Sequence, residues 1–394
     1  MLDLAKLLPQ FDGISVDAIR ENIDSAVELA VDVLSQAAKD PDRLQQRLSD
    51  AEGLTFWPLA SPLEPLDTIW QLTAFEKAYT AIAVDGSQIM PSHHEVFNCY
   101  LINIGKVGIS YGQAHPVIME SSPHLHASVD DLYPVIDRRR TYVDESFVSL
   151  ERNLLELASL RDMALSAAKR ALPVVAFIDG SLIQWNLSQM PDSYQRHFLK
   201  RLNAVYDSFA DNAIPLIGYI SQSRSSDIIN LLRVWQCPYE LSDCSRHCSE
   251  LVEEDFPCSK VWPVTDRQLF TNVLPAHCRG PLIQSGANKA MALAPRHHVV
   301  CTYLNVGTEV ARIEMPRWLS RNRELAGQAL QIAISQAQKG AGYPVCLSEA
   351  HNQAVIRSSD RTRFFELVTN HLVQLGMPRV RVSPKESGKR RGIV

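Results

Sequence analysis

The stretch 173-PVVAFIDGS-181 decides the reading of this chain. Five consecutive apolar residues, Val174 to Ile178, run straight into Asp179-Gly180-Ser181, the pattern of a buried strand ending in a turn. The same texture occurs upstream at 80-TAIAVDGS-87. Each run places a carboxylate at the C-terminal end of a strand, where α/β sheets gather their ligands and catalytic groups. Glycine permits a sharp turn at each place. Two carboxylates from neighbouring strands offer hard oxygen ligands, which suit Mg²⁺ or Mn²⁺. A single Asp-Gly-Ser is a common turn, but two in matching contexts suggest a shared site.

Working outward, 96-VFNCYLINIGKVGISYG-112 reads as two β-rich runs joined around Gly105. Residues 138–170 are helical in pattern, as are 193–211, 225–234, 323–338 and 348–376. Strand-like runs lie at 214–221, 298–307 and 310–316. Strands first, then strands alternating with helices, predict one mixed α/β domain over 79–376. Before it, residues 1–78 form a helical region and a linker. Asp40-Pro41-Asp42 breaks the helical run 14–48, and Pro58, Pro62 and Pro65 mark an extended segment. Residues 237–280 read as a cysteine-rich insertion. Residues 377–394 are a basic tail: Arg379, Arg381, Lys385, Lys389, Arg390 and Arg391 face one acid, Glu386.

The 394 residues are 46% hydrophobic and 21% charged, enough to bury a core, which excludes a disordered, collagen-like or coiled-coil chain. The net charge of −5 argues against a protein that coats DNA uniformly, though not against a local basic groove. No apolar run is long enough to span a bilayer, and the first residues lack the apolar core of a secretory signal. A cytoplasmic location without a membrane partner is therefore expected.

A third carboxylate would complete a metal site. Asp144, Glu145, Glu151 and Glu156 precede the second strand on the helix. Glu145 and Glu151 are six residues apart and lie on different faces. His93-His94-Glu95 is a poor metal motif, because adjacent residues of an extended segment point to opposite sides. Cys237, Cys244, Cys248 and Cys258 read C-x6-C-x3-C-x9-C, and thiolates at such density select Zn²⁺ or an iron–sulfur cluster. Cys99, Cys301 and Cys346 read as core residues.

In this order the motifs resemble the NurA family of DNA-repair nucleases. The resemblance is carried by AVDGSQ (83–88), FIDGSL (177–182), IGYISQSRS (217–225), ARIEMP (311–316) and GYPVCLSEAHNQAVI (342–356). It covers about 81–365, and YPxxLxxAH after two Asp-Gly-Ser segments is its most specific part. The run 85–105 is similar to cyanobacterial members. The resemblance implies a ribonuclease-H-like mixed sheet flanked by helices. It also implies a Mn²⁺- or Mg²⁺-dependent 5′→3′ exonuclease and single-strand endonuclease, acting on DNA in double-strand-break end resection. A homodimer working with a HerA-type hexameric ATPase is implied as well.

Carried across by motif, Asp85 and Asp179 match the family aspartates and His351 the family histidine. Glu151 is the expected helix glutamate, because ERNLLELA (151–158) resembles the family pattern, with Glu145 in reserve. Many members carry a lysine after the strand corresponding to 214–221. Here Ser221-Gln222-Ser223-Arg224 stands there, making Arg224 the basic candidate. Arg357, Arg361 and Arg363 are candidates for a phosphate path. Two other readings are a catalytically inactive NurA-like scaffold and a different phosphoryl-transfer enzyme. The latter is disfavoured by the lack of a G-x-x-x-x-G-K-[ST] loop.

Overall fold

A computed structural model describes residues 4–11, 16–91, 97–289 and 293–376. His93-His94-Glu95 and the basic tail lie outside the described residues. In chain order the longer elements are α1 (Val16–Lys39), α2 (Pro41–Asp50), β1 (Tyr79–Ile89), β2 (Tyr100–Tyr111), β3 (Ile118–His126), α3 (Glu145–Ala168) and β4 (Val174–Asp179). They continue with α4 (Asp192–Asp211), β5 (Leu216–Ile220), α5 (Asp227–Gln236), α6 (Asp266–Val273), β6 (Val299–Asn305) and β7 (Val310–Pro316). The last are α7 (Arg323–Lys339), α8 (Val345–Ala354) and α9 (Ser358–Gln374). The chain divides into two compact units, one of residues 1–71, 221–289 and 300–312, the other of residues 72–220, 290–299 and 313–394.

The second unit holds a mixed sheet in the order β3-β2-β1-β4-β5. The pairs β1/β2 and β2/β3 are antiparallel, while β1/β4 and β4/β5 are parallel. The arrangement is a mixed sheet flanked by helices, as expected. Helix α3 packs on β1, β2 and β4, and α8 packs on β1 to β4. With both faces covered, β1 and β4 must be apolar without alternation, and Tyr79–Val84 and Val174–Phe177 are buried throughout. Each such large apolar side chain contributes about 1.5–3 kcal/mol of burial. Strand β3 is half-exposed and contains Pro123, which a sheet edge tolerates. Its polar composition hid it from pattern reading.

Three expectations change here. The first Asp-Gly-Ser is not a turn: Asp85, Gly86 and Ser87 lie inside β1, paired with Gly105, Ile104 and Asn103 of β2. Gly105 is not a turn either, since β2 runs unbroken through it. The expected helix 348–376 is two helices, α8 and α9, interrupted at 355–357, where Arg357 caps α9 by donating its N–H to Asp360 at 2.9 Å.

In the first unit, α1 and α2 bury an apolar stripe against α5, α6, Ile283, Cys301 and Tyr303. The break between α1 and α2 falls where expected, with Asp40 accepting the Arg43 N–H at 3.1 Å and Pro41 opening α2. Arg47 then donates to the carbonyls of Val234, Cys237 and Tyr239, closing the end of α5. The cysteine-rich stretch 237–280 and the N-terminal helices belong to the same compact unit.

Candidate active site

Strand β4 stops at Asp179 while β1 continues to Ile89. Their register pairs Val84 with Ile178, so Asp85 and Asp179 stand side by side where the sheet opens. Beyond that point no β4 residue separates the two faces of the sheet, and groups arriving on either face can meet.

Asp85 shares its face with its cross-strand partner Gly105. A Cβ on Gly105 would collide with the backbone of Ala350 and Ala354, so this glycine lets α8 lie directly on the sheet. Asn103 holds the end of α8 by donating to the Ala354 carbonyl at 2.8 Å, and Ser87 donates to the same carbonyl. Helix α8 thereby brings His351 Nδ1 to 2.9 Å from Asp85 Oδ2, with the other Asp85 oxygen accepting the Gly86 N–H at 2.8 Å. The His351 side chain is 63% exposed, accessible to a substrate.

Asp179 ends β4 at a true turn, in which Gly180 takes φ +111°. Glu314 on β7 fixes this turn. Its Oε2 accepts from Ser181 Oγ at 2.8 Å and from the Leu182 N–H at 2.9 Å, and its side chain is buried. The Tyr343 hydroxyl donates to Asp179. Burial raises the proton affinity of Asp179, the Tyr343 bond lowers it, Asp85 raises it and His351 lowers it, leaving the net shift upward. Burial and the adjacent Asp179 push the Tyr343 hydroxyl far above its ordinary range, so it stays a donor.

Of the helix carboxylates, the structure brings Glu156 to Asp85 and Asp179, whereas the expected Glu151 is turned away from them. Helix α3 is capped by Asp144, which accepts the Phe147 N–H at 2.8 Å, and buries Phe147, Leu150, Leu154, Leu157 and Leu160. Residues 151 and 156 are five apart, hence about 140° around the helix. Glu151 points to α4 and is engaged by Arg201 in a bidentate pair at 2.6 and 2.7 Å. Glu145 is exposed in the first turn. Glu156 lies over Gly86, where any Cβ would strike its carboxylate. Arg152 stands 3.1 Å away, one turn earlier on α3. Burial, offset in part by Arg152 and reinforced by Asp85 and Asp179, raises Glu156 to about 8.

Asp85, Glu156, Asp179, Arg152, Gln184 and Trp185 line one cleft of about 280 Å³. Trp185 is 53% exposed at this cleft. Three carboxylates against one arginine make an electron-rich oxygen site suited to a hard cation. They remain apart: among the described residues, no three His, Cys, Asp or Glu side chains are gathered closely enough to hold an ion.

The predicted arginines scatter. Arg357, Arg361 and Arg363 are exposed at the start of α9, with Arg361 over the Phe365 ring at 5.6 Å. Arg224 is exposed in a loop of the first unit. Cys237, Cys244, Cys248 and Cys258 also lie in the first unit and form no disulfide. Cys99, Cys301 and Cys346 are buried, as expected of core residues. The letters of a nucleophile elbow occur at Gly108-Ile109-Ser110-Tyr111-Gly112. Ser110, however, sits within β2 and bonds the Thr80 hydroxyl at 2.9 Å, so no elbow forms. Glu314 and Tyr343 were not singled out, although each lies in a quoted motif, ARIEMP or GYPVCLSEAH. Nothing in the sequence alone says what those side chains touch.

The NurA domain family matches this chain over residues 79–356. Among solved structures, the NurA nuclease from Sulfolobus solfataricus is similar, with 14% identity, 91% of this chain and 98% of that chain covered, and a TM-score of 0.45. The catalytic domain of human endonuclease V is similar at 13% identity, with 86% and 99% covered and a TM-score of 0.34. No curated protein matches in sequence.

Proposed function

The chain belongs to the NurA family, and from that premise we propose that it is a metal-dependent DNA nuclease. The reading extends to 5′→3′ exonuclease and single-strand endonuclease activity in double-strand-break end resection. It includes a homodimer acting in the cytoplasm with a HerA-type hexameric ATPase. One observation carries it: Asp85, Glu156 and Asp179 face one cleft, with His351 hydrogen-bonded to Asp85.

The donor set suits Mn²⁺ or Mg²⁺, with Asp85, Glu156 and Asp179 as the ligands. Burial, with Asp85 adding to it, shifts both Glu156 and Asp179 upward, so their charged forms lack a counter-charge that a cation would supply. Bound there, divalent ions supply the Lewis acid that supports in-line displacement at phosphorus. Asp85 holds His351 by its Nδ1, leaving Nε2 to hold the scissile phosphate or give a proton to the leaving oxygen. Tyr343 and Glu314 act through others, orienting Asp179 and its turn. Arg152, Arg357, Arg361 and Arg363 are proposed phosphate contacts. Arg224 is kept as a proposed contact on the sequence argument alone.

The test is degradation of end-labelled single- and double-stranded DNA with Mn²⁺, Mg²⁺ or EDTA. Cation-dependent cleavage is expected, lost in Asp85→Ala, Asp179→Ala and Glu156→Gln but retained in Glu151→Gln. Cleavage that survives in the first three would sink the site. Wild-type protein that binds DNA without cutting it, in every cation, would favour the inactive scaffold.

A further inference from the structure

The four cysteines 237, 244, 248 and 258 are used by nothing described so far. They occupy the first unit, in a stretch with little regular structure. Between Cys237 and Val264 the described elements are one helical turn, Cys244–His247, and two 3₁₀ turns, Glu253–Asp255 and Ser259–Val261. Such a segment has few backbone ladders to hold it. Yet Cys244, Cys248 and Cys258 are buried, and Cys248, Phe256 and Cys258 pack together with Trp57 as a small core of their own.

Local structure brings the thiols together. Asp243 caps the turn by accepting the Arg246 N–H at 3.0 Å, and Cys248 N–H donates to the Cys244 carbonyl at 2.8 Å. Cys244 and Cys248 are therefore one turn apart on one face. Cys237 ends α5, where Arg47 fixes its carbonyl at 2.6 Å. Each of Cys244 and Cys248 lies within electrostatic range of the other three thiols.

The second observation is a set of stranded donors. Arg233 is 2% exposed, stacked on the Trp57 ring at 3.9 Å, and bonded through Nη1 alone to Glu253 at 2.7 Å. Its Nε and Nη2, and the Trp57 Nε1, are buried without a hydrogen-bond partner among the described residues. A buried donor left unpaired is destabilising, and more so on a charged group. Three such N–H groups beside four thiols call for an anionic acceptor at that place. Arg233 lies within electrostatic range of Cys244 and Cys248.

We propose that Cys237, Cys244, Cys248 and Cys258 bind a preassembled iron–sulfur cluster that staples the first unit. A single Zn²⁺ would draw four sulfurs to about 2.3 Å from one centre. The described side chains are not gathered on a point in that way. A cluster spreads its four thiolate ligands over several irons, so the sulfurs are neighbours without converging on one atom. Each sulfur replaces one thiolate ligand that the cluster carries from its donor; the displaced thiolate leaves as a thiol with the released proton, and no electron is transferred in binding. The Arg233 and Trp57 N–H groups then face sulfur carrying negative charge, the kind of hydrogen bond that tunes cluster potential.

The experiment is iron, zinc and acid-labile sulfide analysis of the full chain purified without oxygen, with visible absorption before and after dithionite. Iron and sulfide in stoichiometric amounts, with absorption that bleaches on reduction, are expected. The double variant Cys244→Ser/Cys248→Ser should lose at least tenfold of the iron, while Cys278→Ser, outside the cluster, keeps it. Should the double variant not fold, alkylation of the wild type read by mass spectrometry decides. The four thiols should be protected while iron is bound and modified once a chelator removes it. Stoichiometric zinc, no metal at all, iron retained in the folded double variant, or alkylation in the iron-loaded protein would overturn the assignment. None of these readouts depends on the nuclease reading.

Discussion

Glu156→Gln tests the electrostatics of the cleft without any substrate. The fold holds this carboxyl on buried α3 surface beside two aspartates and raises it from 4.5 to about 8, with Arg152 already counted. The folded value lies above the unfolded one. The protonated form therefore contributes stability that is complete below pH 4.5 and is lost as pH rises through 8. At about 1.4 kcal/mol per pK unit, the loss amounts to roughly 5 kcal/mol across that window. Glutamine has the shape of the neutral acid and no charge to desolvate. In EDTA the variant should match wild type near pH 5 and exceed it increasingly up to pH 8, after which the difference levels off. Urea unfolding followed by circular dichroism from pH 5 to pH 9 reads this difference directly, because every other titrating group is common to both proteins. Parallel stability curves would refute the reasoning and mean that Glu156 is solvated or fully compensated by Arg152.

Three further outcomes follow from the geometry. Gly105→Ala should destabilise by about 1–3 kcal/mol in urea unfolding, because its Cβ meets the α8 backbone and not a movable side chain. His351→Ala, altering a side chain 63% exposed, should leave the unfolding midpoint within about 0.5 kcal/mol of wild type. Its rate of DNA cleavage should fall by about 10²-fold or more, measured under single-turnover conditions. Glu314→Ala leaves Ser181 Oγ and the Leu182 N–H without their carboxylate, so a loss of about 2–4 kcal/mol is expected by the same unfolding assay, with lower cleavage.

Much of the fold was legible because its central strands are buried on both faces. Continuous apolar runs at 81–84 and 174–178 can be read without knowing their neighbours. Strand β3 is not legible, since an edge strand with Pro123 and the exposed Glu120 lacks both an apolar run and clean alternation. Glycine marks turns and close approaches alike, so pattern alone assigns Gly86 and Gly105 to turns. Only the position of α3 and α8 reveals that Gly86 and Gly105 are approaches.

Local sequence settles that two Asp-Gly-Ser segments each follow an apolar strand-forming run, that a helix carrying acidic residues lies between them, and that His351 follows on a late helix. These are local facts, set by apolar runs and short-range spacing. Tertiary structure decided which carboxylate joins the aspartates. Glu151 and Glu156 sit on one half-buried helix and differ only in azimuth. One meets Arg201 of α4 and the other meets the glycine gap in β1. Tertiary structure also turned ARIEMP and GYPVCLSEAH from motifs into contacts, since Glu314 and Tyr343 act across more than a hundred residues of chain on Asp179 and its turn. Register and helix azimuth are settled by packing between distant segments, and periodicity within one segment carries no record of its partner.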